Sequence, residues 1–122
     1  MAEIVVYAKD FKLGTKIAET AAQFEKEIVF PEHKDISEEI NVGTIIVIVD
    51  LDDDYQQTLL LVKNIRHSFP AVPIVGILTR VQKSTHDRAR ESGCTLVLPR
   101  FTFIKNLTIL IEKGLSGKSI KK

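Results

Sequence analysis

Apolar residues along this chain gather in short unbroken runs separated by segments with helical spacing. The runs are Ile4 to Ala8, Ile28 to Phe30, Ile45 to Val49, Pro73 to Leu78 and Leu96 to Leu98. They are rich in β-branched residues and none alternates polar with apolar. Strands read this way when helices cover both faces of a parallel sheet. Between them, Lys12 to Phe24 places Leu13, Ile17, Ala21 and Phe24 at steps of three and four, which predicts a helix. Tyr55 to Phe69 carries Leu59, Leu60, Leu61, Val62 and Ile65, an arc wide enough for a well-covered helix. Gln82 to Ser92 is polar apart from Ala89, so a thin surface helix is expected, stopped by Gly93. Phe101 to Leu115 reads as one strongly apolar helix ended at Gly114, and Pro31 to Glu39 as a short one. Strand and helix therefore alternate five times with short links, which implies right-handed crossovers and a three-layer α/β sandwich.

Composition narrows the class. The 122 residues suit one domain, expected over residues 1–115, with a small basic tail at 116–122 that would fray. Hydrophobic residues make up 44% and charged residues 27%, an ordinary globular mixture. Seventeen Lys and Arg oppose sixteen Asp and Glu, a net charge of +1 that argues against a dedicated nucleic-acid binder. No apolar run, Ile45 to Val49 included, approaches the ~20 residues of a membrane helix. No basic region precedes the first apolar run, as a secretory signal would require. One cysteine, Cys94, excludes an internal disulfide and suits a core position. The expected setting is cytoplasmic.

In an open parallel sheet, functional groups collect beyond the carboxyl ends of the strands. The first strand is followed by Lys9 and Asp10, and the third by Asp50, Leu51, Asp52, Asp53 and Asp54. Thr79 and Arg80 follow the fourth, and Pro99 and Arg100 the fifth. Acids, a hydroxyl and a cation thus converge on one edge of the sheet.

These residues carry a resemblance to the receiver domain of bacterial two-component response regulators, covering roughly Ile4 to Glu112. Ile45 to Leu51 resembles the receiver's central strand, with Asp50 at the phospho-accepting position. Pro73 to Thr79 resembles the fourth strand, with Thr79 at the switch hydroxyl. Arg88 to Cys94 resembles the helix end before the fifth strand, and Arg100 stands where receivers carry an essential lysine. The resemblance implies a flavodoxin-like (βα)5 sandwich whose five-stranded parallel sheet has the order 2-1-3-4-5. It also implies signalling through a histidine kinase or an output partner, and a magnesium ion held by Asp10 and Asp50.

The chain departs from that pattern in its chemistry. Receivers end the first strand with two acids that hold magnesium; here Lys9 replaces one of them. Arg100-Phe101 stands where lysine and proline are usual, Val97 where an aromatic switch is usual, and Asp52, Asp53 and Asp54 fill the loop after the acceptor. Asp50 is therefore either a nucleophile for a phosphoryl group or a solvated strand-end acid. Lys9 either imitates the metal on Asp10 and Asp50 or points into solvent. Thr79 either contacts a phosphoryl oxygen or caps its strand. Arg100 either binds phosphate or pairs with Asp50. Asp54 is the natural N-cap before Tyr55. The function expected is a receiver-like, pseudo-receiver module acting through protein contacts, with phosphorylation at Asp50 absent or weak. The alternatives are a working magnesium-dependent receiver, or an enzyme or small-molecule binder on the same fold. The latter lacks a glycine-rich phosphate loop after the first strand, where only Gly14 arrives late.

The last helix bears on partners. Ile104, Leu107 and Ile111 make one stripe suited to the core, while Phe101, Phe103, Ile109 and Leu110 exceed it. Either the helix lies unusually deep in the core and the surplus packs there, or it presents an apolar patch; the second reading gives a homodimer through the last two helices that buries Phe103, Ile109 and Leu110.

Overall fold

A computed structural model describes residues 2–116. The chain runs β1 (Ile4–Tyr7), α1 (Phe11–Gln23), β2 (Ile28–Val29), β3 (Ile46–Asp50), α2 (Tyr55–Ser68), β4 (Ile74–Leu78), α3 (Lys83–Ser92), β5 (Leu96–Pro99), α4 (Arg100–Lys105) and α5 (Leu107–Lys113). All five strands are parallel and pair in the order β2-β1-β3-β4-β5. Among the described residues no helix is long and apolar enough to cross a membrane. The tail expected at 116–122 lies, beyond Ser116, outside the described residues.

The unalternating strands have a simple cause: both faces of the sheet are covered. Val5, Tyr7, Val47 and Val49 face α2 and α3, meeting Leu59, Val62, Ile65 and Ala89. Ile4, Val6, Ile46 and Ile48 face the other way, toward Leu13 and Ile17 of α1 and Leu107, Leu110 and Ile111 of α5. Every residue of β1, β3 and β4 is buried. Leu51 crosses β4 at Gly76, where an added Cβ would lie 2.6 Å from its Cδ1, so glycine permits the approach.

One arginine closes the amino end of the sheet. Arg66 donates from Nε and Nη2 to the Gly93 carbonyl at 3.1 and 2.7 Å. Its Nη1 reaches the carbonyls of Pro70 and Val72 at 3.0 and 2.7 Å. The turn after α2 and the corner before β5 are thereby held by one planar fork.

Two expectations are corrected. Pro31 to Glu39 forms bends and turns rather than a helix. The Tyr7 hydroxyl donates to the Asp35 carbonyl at 2.8 Å and accepts from the Ser37 N–H at 3.1 Å. Those are backbone groups that a helix would need for its own ladder. The last helix is also interrupted. Asn106 takes φ −106° and ψ 10°, and its side-chain amide donates to the Thr102 carbonyl at 2.9 Å. An asparagine that bonds its own preceding turn competes with helix propagation.

The interruption resets which residues face inward. Phe103 and Leu110 are fully buried, and Ile109 is half-buried against the same core. Ile104, expected inside, is 36% exposed, and Phe101 is 77% exposed. The dimer surface expected from Phe103, Ile109 and Leu110 therefore does not exist as a free patch, because two of its three members are core. Leu60 likewise points outward from α2.

Truncating the two phenylalanines should separate core from surface. Phe103→Ala should lower the free energy of unfolding by about 3–5 kcal/mol. Phe101→Ala should change it by less than about 0.5 kcal/mol in the same urea titration.

Candidate functional site

The carboxyl edge of the sheet is assembled from four strand ends. β1 delivers Lys9 and Asp10 to the start of α1, where the Asp10 carboxylate accepts from the Leu13 N–H at 3.1 Å and caps the helix. β3 ends in Asp50, and the turn after it carries Asp52, Asp53 and Asp54. Asp54 caps α2, accepting from the Gln57 N–H at 3.3 Å, and adopts a left-handed conformation with φ 47° to do so. β4 delivers Thr79. β5 delivers Arg100, the first residue of α4.

The guanidinium of Arg100 lies at the centre. Its Nη1 is 3.1 Å from Asp10 Oδ2, and its Nη2 is 3.3 Å from Asp50 Oδ2 and 3.8 Å from Asp52 Oδ2. One planar cation thus bridges the acid that caps α1 and the acid that ends β3, and approaches Asp52 as well. Asp50 is 5% exposed, and its other oxygen accepts from the Asp52 N–H at 3.0 Å. Both oxygens of the candidate acceptor are already engaged.

Lys9 takes no part in this. It is exposed and makes no ion pair among the described residues, whereas Arg100 occupies the cationic place between the acids. Thr79 is also spoken for. Its N–H and its hydroxyl both donate to Asp52 Oδ2, at 2.9 and 2.7 Å. Asp53 pairs with Lys34 at 3.2 Å, which ties the turn after β3 to the loop after β2. Val97 is buried, as is Cys94, whose thiol is pushed up to about 12 by burial. No group of three or more His, Cys, Asp or Glu side chains that could hold a metal ion occurs among the described residues.

Sequence reasoning singled out Asp10, Asp50, Thr79 and Arg100, and the structure brings all four to one edge. It left Asp52 among a run of solvated acids. The sign of its role was available in sheet order: β3 and β4 are neighbours, so a residue just past Asp50 can reach the end of β4.

The two paired acids differ in their electrostatics. Burial pushes the Asp50 carboxyl above its ordinary value, and the Asp52 N–H and Arg100 only partly offset that. The Leu13 N–H holds the Asp10 carboxyl below its ordinary value, with Arg100 adding to the effect.

The fold is that of response-regulator receivers. The chain superposes on a response regulator from Hahella chejuensis with a TM-score of 0.78 at 11% identity, covering 99% of this chain and 100% of that one. It superposes on the chemotaxis protein CheY4 of Vibrio cholerae with a TM-score of 0.76 at 14% identity, covering 92% and 97%. A response regulator from Thermotoga maritima gives a TM-score of 0.72 at 14% identity, covering 93% and 97%. No protein-family model matches the chain, and no curated protein sequence matches it.

Because its carboxyl is raised, folded Asp50 holds a proton more tightly than the unfolded chain does. The stability this contributes is present at acid pH and is lost as pH climbs from the ordinary value of 3.8 through the raised one. Asp10 has the opposite sign: its contribution is present above the ordinary value and is lost as pH falls through the lowered one. Arg100→Gln should therefore move both carboxyls upward in a carbon-detected NMR titration. It should also cost about 1–3 kcal/mol near neutral pH by leaving the Asp50 carboxylate short of a partner.

Proposed function

We propose that this chain is a receiver-like signalling module that acts through protein contacts, with phosphorylation at Asp50 absent or weak. The observation that carries the proposal is the Arg100 guanidinium resting on Asp10 and Asp50 at 3.1 and 3.3 Å. A working acceptor carboxylate needs its charge offset while a phosphoryl group, itself anionic, approaches it. A divalent ion does this in receivers, in an octahedral oxygen shell with open positions for water and phosphate. Here the oxygens that would face such an ion accept from a fixed arginine, and Lys9 stands in place of the second acid of the pair. The donor set does not fit magnesium.

The surrounding charge works in the same direction. Asp52, Asp53 and Asp54 repel an incoming phosphodonor, and Thr79 and Arg100, the residues that would receive its oxygens, are already bonded to Asp52 and to the acids. Asp10, Asp50, Thr79 and Arg100 are thus assigned to holding one arrangement of the edge rather than to catalysis. The partner is a signalling protein, a histidine kinase or an output component, that recognises this arrangement by contact. The module has no enzymatic turnover of its own.

Intact-mass spectrometry after incubation with acetyl phosphate and magnesium tests this. The native chain should gain at most a small fraction of one phosphoryl mass. A stoichiometric gain that Asp50→Asn abolishes would overturn the proposal and make the chain a working receiver.

A further inference from the structure

The edge holds a second occupied place beside the arginine bridge. The N–H and the hydroxyl of Thr79 converge on one oxygen, Oδ2 of Asp52, at 2.9 and 2.7 Å, and Arg100 Nη2 stands 3.8 Å from the same atom. Two hydrogen-bond donors and a cation around a single oxygen are the components of an oxyanion site. The oxygen belongs to the chain itself. Asp52 is two residues past Asp50, whose own oxygen accepts the Asp52 N–H at 3.0 Å and fixes where the Asp52 side chain starts. The turn is held from the far side as well, because the Asp53 carbonyl accepts the Thr58 hydroxyl at 2.7 Å.

We infer that Thr79 and Arg100 form an anion site for a single carboxylate, and that Asp52 is its resident ligand. This rests on the reading that the edge is not a working phosphoryl acceptor, and it extends that reading to the loop between β4 and α3. Asp52 bridges the turn after β3 to the start of that loop, so the loop is held against an anion without any group being added to the chain. A partner that contacts Thr79, Arg80 and the start of α3 meets one permanent state. The other acids nearby cannot supply this ligand: Asp50 is turned to Arg100 and to the Asp52 N–H, Asp53 to Lys34, and Asp54 to the start of α2.

The test removes the resident carboxylate and offers a free one. Asp52 lies on a turn and its side chain is 35% exposed, so Asp52→Ala should fold, which a thermal melt verifies. Amide hydrogen exchange at Thr79, followed by NMR in the full chain, is the readout. In Asp52→Ala the Thr79 amide should exchange about tenfold faster than in the native chain, through loss of a charge-assisted bond. Sodium formate, a monovalent carboxylate of matching size, should slow it back toward the native rate, while sodium chloride at equal ionic strength should not. The native chain should respond to neither salt. An unchanged Thr79 amide in Asp52→Ala, or equal responses to formate and chloride, would overturn the inference. Phosphorylation of the native chain, read separately by mass, would instead defeat the reading on which it rests.

Discussion

A carboxylate that closes a central strand with 5% of its surface in water has to be matched where it stands, and Arg100 is what matches Asp50. An isolated buried charge is among the most expensive features a small domain can carry. The arginine resolves that cost with a planar fork whose arms reach two acids, Nη2 to Asp50 and Nη1 to Asp10 at the N-cap of α1. The rest of the edge is arranged around this bridge. Lys9 is released to solvent, Asp52 turns to Thr79, and Asp53 turns to Lys34. A lysine would be a point charge at the same place and would not span two strands in this way.

Much of the fold was legible in the sequence because the sheet is buried on both faces. Runs such as Ile45 to Val49 have no polar side to lose, and that pattern already implies helices above and below. The chemistry at the strand ends was legible for the same reason, since topology alone places Asp10, Asp50, Thr79 and Arg100 together. Where the reading went astray, a side chain some distance away had decided the outcome. Tyr7, 28 residues before Asp35, takes backbone groups that Pro31 to Glu39 would need for a helix. Asn106 interrupts what looked like one continuous helix. With that break, Phe103 and Leu110 turn from an apparent surplus into the core, and Ile104 turns out of it. A spacing rule assumes an unbroken helix, so one interruption inverted the inside and outside of half a segment. Asp52 was hidden for a different reason: three consecutive acids look alike in sequence, and only the loop geometry distinguishes the one that reaches Thr79.

Fold and strand-end residues can be considered separately in this molecule. The architecture of receivers is kept in sheet order, layering and the position of every strand end. The groups at those ends form a closed set of ion pairs and hydrogen bonds in which each acid already has a donor. Asp50 keeps its place in the fold while its oxygens are committed elsewhere. Shape carries the likeness to receivers, and the commitments of the side chains bear on what chemistry remains open.

The break at Asn106 makes α4 a short arm, six residues and about 9 Å long, fixed differently at its two ends. One end is fastened by charge, through Arg100 to the acids. The other is fastened by the Asn106 amide and the packing of Phe103. Between the fastenings, Phe101 and Ile104 project outward. Clamped at both ends, the arm holds the outward pair on a short fixed span beside the charged edge.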